Sequence, residues 1–265
     1  MRQVFDTHAH LDQIEDVDIV LERAQEAGLV GVVAVGIDQR SNEAILELAE
    51  RWPGFVHPAL GLHPSELGSL DEAAIERGIA FIDSNLGKAV AVGEVGLDYH
   101  KRIRAEASKQ LQRDVFRQVL SIARQHDVPA LVHSRYAWTD ALQDVDAAGL
   151  RTAVFHWFTG FAGVLKGIMD SGFYISATPA AEYHEEHRRA VRAVAIERLL
   201  LETDTPVWYG RDIRYQSSPL DILRSLEAVA EVRGEGVEEV AQATTHAAMQ
   251  LFRIGIPPDI EEDQT

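Results

Sequence analysis

Along this chain, apolar runs of about four to eight residues alternate with stretches whose apolar positions recur every three or four residues. The runs predict strands at Val4–His8, Val30–Gly36, Val56–Leu62, Ala89–Glu94, Ala130–His133, Thr152–His156, Gly172–Ser176 and Leu199–Glu202. The periodic stretches predict helices near Asp18–Ala27, Asn42–Arg51, Asp71–Asn85, Ala105–His126, Ala137–Ala147, Phe161–Ser171 and Glu185–Ala195. Two more helices are expected after the last strand, over Pro219–Val232 and Val237–Phe252. In the first of them Leu220, Leu223, Leu226 and Val229 form an apolar stripe suited to a barrel wall. Eight strands with helices between them is the pattern of a parallel α/β barrel of the TIM (β/α)8 type, which takes about 250 residues. One barrel domain is therefore expected over residues 1–256, with a flexible acidic tail over 257–265.

Polar residues of one chemical kind stand at the ends of the predicted strands. His8 and His10 are two apart, so both side chains leave the same strand face and can bind one metal; Asp6 lies on that face as well. Glu94 follows AVAVG, where a carboxylate needs a cation or donors to offset its desolvation. His133 closes ALV, His156 closes AVF, and Asp204 follows LLLET. Taken singly, each has an ordinary explanation: a rim salt bridge for Glu94, carbonyl-paired core histidines, a turn cap for Asp204. Six such coincidences at strand ends are less probable than one shared metal centre. A modified lysine often bridges two metals in related barrels, but Lys88, Lys101, Lys109 and Lys166 all lie away from the predicted strand ends, so Glu94 is the candidate bridge. The histidines of the HEEH stretch, His184 and His187, are expected to face solvent, and its spacing is not that of a zinc protease.

Composition narrows the chemistry. With no cysteine, any metal must be held by nitrogen and oxygen, and a histidine-rich donor set favours Zn²⁺ or Mn²⁺ over Mg²⁺. No signal core and no bilayer-length apolar run is present, so a cytoplasmic protein without a membrane partner is expected. The formal charge of −17 opposes a broad nucleic-acid track, and two divalent ions would reduce it only to −13. Nucleic-acid chemistry therefore requires a mouth that is locally positive.

Together, DTHAHLD, GLHP, GEVGLDYH, the stretch Gln112–His133 leading into VHSR, HWFTG and ETDTP resemble, in order, the motifs of the TatD family of metal-dependent hydrolases. That resemblance implies an amidohydrolase-type barrel and 3′ to 5′ deoxyribonuclease activity on single-stranded DNA ends or another phosphodiester, with no obligate protein partner. It implies divalent metal ions, two being expected, on His8, His10, Glu94, His133, His156 and Asp204. Catalytic roles are implied for Asp204, Glu94 and His63, and substrate contacts for His63 and Arg135. Several positions depart from the pattern: Tyr136 replaces the acid often found after HSR, and Trp157, Val207-Trp208-Tyr209, Ser217-Ser218 and Ala247 are also atypical. Trp157, Trp208 and Tyr209 are candidate stacking faces for a base. Two other readings are carried: a barrel hydrolase acting on a small ester, amide or aminoacyl ester, and a non-catalytic metal-binding scaffold.

Overall fold

The computed structural model describes residues 2–255, so the tail expected over 257–265 lies outside the described residues. In chain order the elements are β1 Val4–Ala9, α1 Val17–Glu26, β2 Leu29–Val35, α2 Gln39–Arg51, β3 Val56–Leu60, α3 Glu72–Asn85 and β4 Ala91–Asp98. There follow α4 Lys101–Glu106, α5 Lys109–His126, β5 Ala130–Arg135, α6 Trp138–Ala148, β6 Ala153–Phe155, α7 Ala162–Asp170 and β7 Tyr174–Ala177. The chain continues through α8 Glu185–Ala193, β8 Leu199–Leu201, a small hairpin of β9 Trp208–Tyr209 and β10 Tyr215–Gln216, α9 Ile222–Arg233 and α10 Val237–Phe252. Strands β1 to β8 pair in parallel in sequence order. The ring closes where Asp204 N donates to His8 O at 2.9 Å and His10 N donates to Thr205 O at 2.9 Å. This is the expected TIM barrel.

Its strands alternate sides. Outward positions such as Val32, Val92 and Val132 join the helices in one buried shell. Inward positions Phe5, Val33, Ala59, Ala91, Leu131, Val154 and Leu200 fill the barrel floor, where α10 closes it with Ala248, Met249 and Phe252. Going up the same inward rows, Leu131 is followed by His133, Val154 by His156, and Leu200 by Glu202. The C-terminal mouth is thus the polar continuation of an apolar interior.

Two boundaries differ from expectation for clear reasons. Strand β4 runs on to Asp98 instead of stopping at Glu94, because its glycines mark close approaches and not a turn. A Cβ on Gly96 would stand 2.0 Å from His133 O, and one on Gly61, directly after β3, 2.3 Å from Glu94 N. The longer strand brings Lys101, exposed, to within three residues of a strand end. The single helix expected over Ala105–His126 is broken: Ser108 caps α5 by accepting from Leu111 N at 3.2 Å, and Gln112 Nε2 donates to Ala107 O at 2.9 Å. Among the described residues no helix is long and apolar enough to cross a membrane.

Candidate metal centre

All six candidate ligands meet at the mouth. Glu94 stands in the middle of them, and its two oxygens face different partners. Oε2 lies 3.4 Å from His8 Nε2 and 3.4 Å from His10 Nε2, while Asp204 Oδ1 is 3.6 and 3.5 Å from the same two nitrogens. Oε1 lies 2.7 Å from His133 Nδ1, 2.8 Å from His156 Nε2 and 3.4 Å from His63 Nε2. Glu94 thus faces one set of histidines with each oxygen, and the two sets touch where His8 stacks on His156 at 4.2 Å, a pair that also forms a donor cluster with Glu202. His63, expected near the substrate, also falls within the donor cluster of Glu94 and His133.

Backbone and buried amides set these positions. Asn42 pins the end of β3, donating to Gly61 O at 2.8 Å and accepting from Gly61 N at 2.9 Å, which fixes the approach to His63. Gln112 does the same for β4, accepting from Asp98 N at 2.8 Å and donating to Asp98 O at 3.0 Å. Asp204 and Trp157 both hold left-handed backbone, with φ of 48° and 40°, at the residues where the chain turns out of β8 and β6. Such conformations are costly for non-glycine residues and concentrate at functional sites.

The tautomer of His10 suits metal binding. His10 Nδ1 donates to Val35 O at 3.1 Å, which leaves Nε2 with its lone pair aimed at the cluster. His63 is held the other way round: its Nδ1 accepts from Ser65 N at 3.1 Å and lies 2.7 Å from Ser65 Oγ, which donates to Glu66 Oε1 at 2.7 Å, so the neutral ring carries its proton on Nε2. Both ring nitrogens of His8, Nε2 of His133 and Nδ1 of His156 are buried without hydrogen-bond partners. Buried polar atoms seldom go unpaired, and nitrogen with carboxylate oxygen is a donor set that suits borderline and hard divalent ions. The residues present fit a divalent metal.

Electrostatics points the same way. Burial opposes the His10 cation, but hydrogen bonds to Asp204 and Glu94 outweigh it and hold its pKa up to about 10. Burial likewise works against charged His156, and Glu94 and Glu202 together raise it well above the ordinary histidine value. Burial pushes Glu94 up, yet the charges of His63 and His156 and the contacts with His10 and His133 keep it well below the usual carboxylate range. Carboxylates that favour positive charge on their histidine neighbours would favour a divalent ion in the same place, and such an ion would displace the histidine protons on binding.

Two carboxylates escaped the sequence reading. Buried Glu202 accepts from Trp157 N at 2.9 Å and sits 3.6 Å from His156 Nδ1, on the side of the ring away from Glu94. Asp98 Oδ2 is 3.4 Å from His133 Nε2 and 3.9 Å from Arg135, and Oδ1 accepts from His100 N at 2.7 Å. Their signal was available in GLDYH and LLLET, where each acid terminates an apolar run. Arg135 is half exposed at the end of β5, as a substrate contact would be. Asp6 lies deeper on the same face, accepting from Thr203 N and Oγ1 at 3.0 and 2.6 Å, and burial raises its pKa to about 7.

Other expectations are corrected. His187 does not face solvent: it is fully buried, accepts from Thr178 N at 3.1 Å and donates to Phe158 O at 3.0 Å. Tyr209 is no stacking face, because it is buried with its hydroxyl donating to Thr203 O at 2.9 Å. Ser217 is buried and ties the segment after β8 to Thr205, while Ser218 and Asp221 cap the turn into α9. Trp157 is half-buried against Tyr209, and Tyr136 and Trp208 are exposed.

Residues 5–253 match the model of the TatD related DNase family. The chain is 32% identical over 257 residues to the human protein named deoxyribonuclease TATDN3, covering 93% of each chain. It is 31% identical over 252 residues to the 3′-5′ ssDNA/RNA exonuclease TatD of Pantoea ananatis, covering 89% of this chain and 93% of that one. Among solved structures it resembles the TatD homologue YjjV of Escherichia coli, with a TM-score of 0.87, 27% identity, and coverage of 96% of this chain and 99% of that one.

Proposed function

Because this chain belongs to the TatD family of metal-dependent hydrolases, we propose that it removes nucleotides from the 3′ ends of single-stranded DNA by phosphodiester hydrolysis, using two divalent ions. The observation that carries this reading is Glu94, whose two oxygens face two sets of histidines. His8, His10, Asp204 and Glu94 Oε2 would hold one ion; His133, His156 and Glu94 Oε1 would hold the other, with His63 beside it. The nitrogen-rich set favours Zn²⁺ or Mn²⁺. Bound ions of this kind polarise a phosphoryl oxygen and lower the pKa of water to about 7.

The protein's own groups do the rest. Burial pushes the Asp204 carboxyl up, but the His10 hydrogen bond and the flanking histidine charges outweigh it and keep it below its ordinary range. Asp204 is therefore ionised at neutral pH and able to accept the proton of an attacking water. His63 presents Nε2–H toward the same space, its Nδ1 held by the Ser65 backbone N–H, and orients a phosphate oxygen by donating to it or delivers that proton to it. Arg135 holds a phosphate with its planar fork.

The test uses metal-stripped protein with 3′- and 5′-labelled single strands, with and without Mg²⁺, Mn²⁺ or Zn²⁺. Stepwise loss from the 3′ end on metal addition is expected, and Asp204→Asn should be slower by about 10²–10⁴-fold. Intact strands under every metal would refute the reading. They would favour a small ester or amide substrate, the alternative that the −17 charge supports.

A further inference from the structure

The loops that follow β4, β5 and β6 carry a row of aromatic rings along one side of the mouth. His100 stacks on Tyr136 with centroids 6.2 Å apart at 26°, Tyr136 meets Trp138 edge-on at 5.9 Å, and Trp138 meets Phe161 edge-on at 5.4 Å. Two of these rings face water: Tyr136 is 59% exposed and Phe161 68%. Tyr136 does so from a left-handed backbone with φ of 57°, a conformation a β-carbon disfavours. Large exposed apolar groups side by side mark a contact surface.

The same side of the mouth is cationic in a protein of net charge −17. From Tyr99 to Lys109 the chain carries Lys101, Arg102, Arg104 and Lys109 against Glu106, a balance of four to one. Lys101, Arg102 and Arg104 are exposed, and among the described residues they form no ion pair. Arg135 lies 5.8 Å from the Tyr136 ring and 3.9 Å from Asp98, which neighbours His133 of the metal centre. Tyr136 stands where the related motif often has an acid, and an acid there would repel phosphate.

We propose that this row is a docking shelf for single-stranded DNA, with unpaired bases stacking on Tyr136 and Phe161 and phosphates held by Lys101 and Arg102, leading the strand end to Glu94. Stacking on aromatic faces with backbone pairing to cations is how unpaired strands are held without sequence preference. A duplex keeps its bases inside and cannot use the shelf. The choice of DNA rests on the deoxyribonuclease reading above.

The shelf is tested by fluorescence anisotropy on the metal-loaded full chain, with a phosphorothioate oligothymidylate that resists cleavage and an abasic oligomer of equal length. The wild type should prefer the strand that carries bases by about ten- to a hundredfold. Tyr136→Ala and, separately, Phe161→Ala should erase most of that preference, and Tyr136→Trp should keep it. Lys101→Glu with Arg102→Glu should weaken both oligomers alike and lower the salt slope by about 0.7 per lost phosphate contact. A base preference that survives both alanine variants overturns the shelf, as does duplex bound as tightly as oligothymidylate. Hydrolysis of bis(p-nitrophenyl) phosphate reports the metal centre separately. Ester hydrolysis without base preference refutes the shelf and leaves the hydrolase reading standing; base preference without hydrolysis of ester or strand does the reverse.

Discussion

The two ends of this barrel are built by the same strands and obey opposite rules. At the floor, Phe5, Leu131, Val154 and Leu200 meet Met249 and Phe252 of α10 in a dry apolar plug. Two residues further along the same rows, buried His156 and Glu202 and partly buried His133 crowd into a space filled with charge. At the floor each side chain contributes surface burial, which is additive and tolerant of exchange. At the mouth no residue is satisfied by itself. Glu94 leans on five histidines, Glu202 and Asp98 sit behind two of them, and nitrogens of His8, His133 and His156 have no hydrogen-bond partner. The difference teaches that stability and chemistry are separable here along the barrel axis.

The sharpest way to break that separation is at Glu94. Glu94→Gln retains the volume but removes the charge that both sets of histidines face, so on the two-ion reading metal content by mass spectrometry should fall below two per chain and turnover by about 10²–10⁴-fold or more. Circular dichroism and the floor should be unaffected. Two tightly held ions with near-normal turnover in this variant would mean that Glu94 is not the bridge.

The complementary change is Phe252→Ala. Its ring stacks on Phe5 at 6.4 Å, and removing it opens a cavity at the floor, at a cost of about 3–5 kcal/mol in denaturant titration. Turnover of the folded fraction should match the wild type. A loss of turnover at temperatures where the variant is folded would show the two ends to be coupled.

Much of this was visible in the residues themselves, and what was missed has a common cause. Strand ends carrying His8, His10, Glu94, His133, His156 and Asp204 were legible because a polar residue after an apolar run is rare and repeated. Tyr209 and His187 were misplaced because local sequence does not say whether a polar tip has found a partner. Thr203 lies only six residues before Tyr209 and Thr178 nine before His187, but each partner is reached only because the chain folds back on itself, and Phe158 comes from just beyond β6, 29 residues before His187. Strand β4 was ended too early at Glu94, because the glycines that let it run on past β5 show their reason only in the fold: Gly96 lies against the His133 backbone and Gly93 against the Leu131 side chain. Glu202 and Asp98 were overlooked since they act on histidines, not at the centre. Tertiary pairing, in each case, was the missing information.

His187 sharpens the comparison among histidines. The cluster's His10 is held up to about 10 by carboxylates, whereas burial lowers His187 to about 4 from 6.5. Above pH 6.5 His187 is neutral folded or unfolded. Between about 6.5 and 4 only the unfolded chain takes the proton, so stability is lost as pH falls through that window, by about 3 kcal/mol in total. His187→Gln should flatten the pH dependence of unfolding free energy there by about one proton. An unchanged slope would mean that the ring accepts its proton in the folded state.

The smallest effect is expected at Glu202, and it asks how far the mouth's interdependence extends. Its carboxylate is fully buried, and one oxygen accepts from Trp157 N while lying 3.6 Å from His156 Nδ1. A carboxylate behind a ligand histidine fixes the ring and raises its basicity, and loss of such a partner typically costs about 10–100-fold in metal affinity. Glu202→Gln keeps an acceptor for Trp157 N but withdraws the negative charge. Metal affinity measured by chelator competition should therefore weaken by that factor, with strand binding to the shelf unchanged. Unaltered affinity would restrict the interdependent set to the residues that touch Glu94, and leave Glu202 as a support for the backbone turn at Trp157.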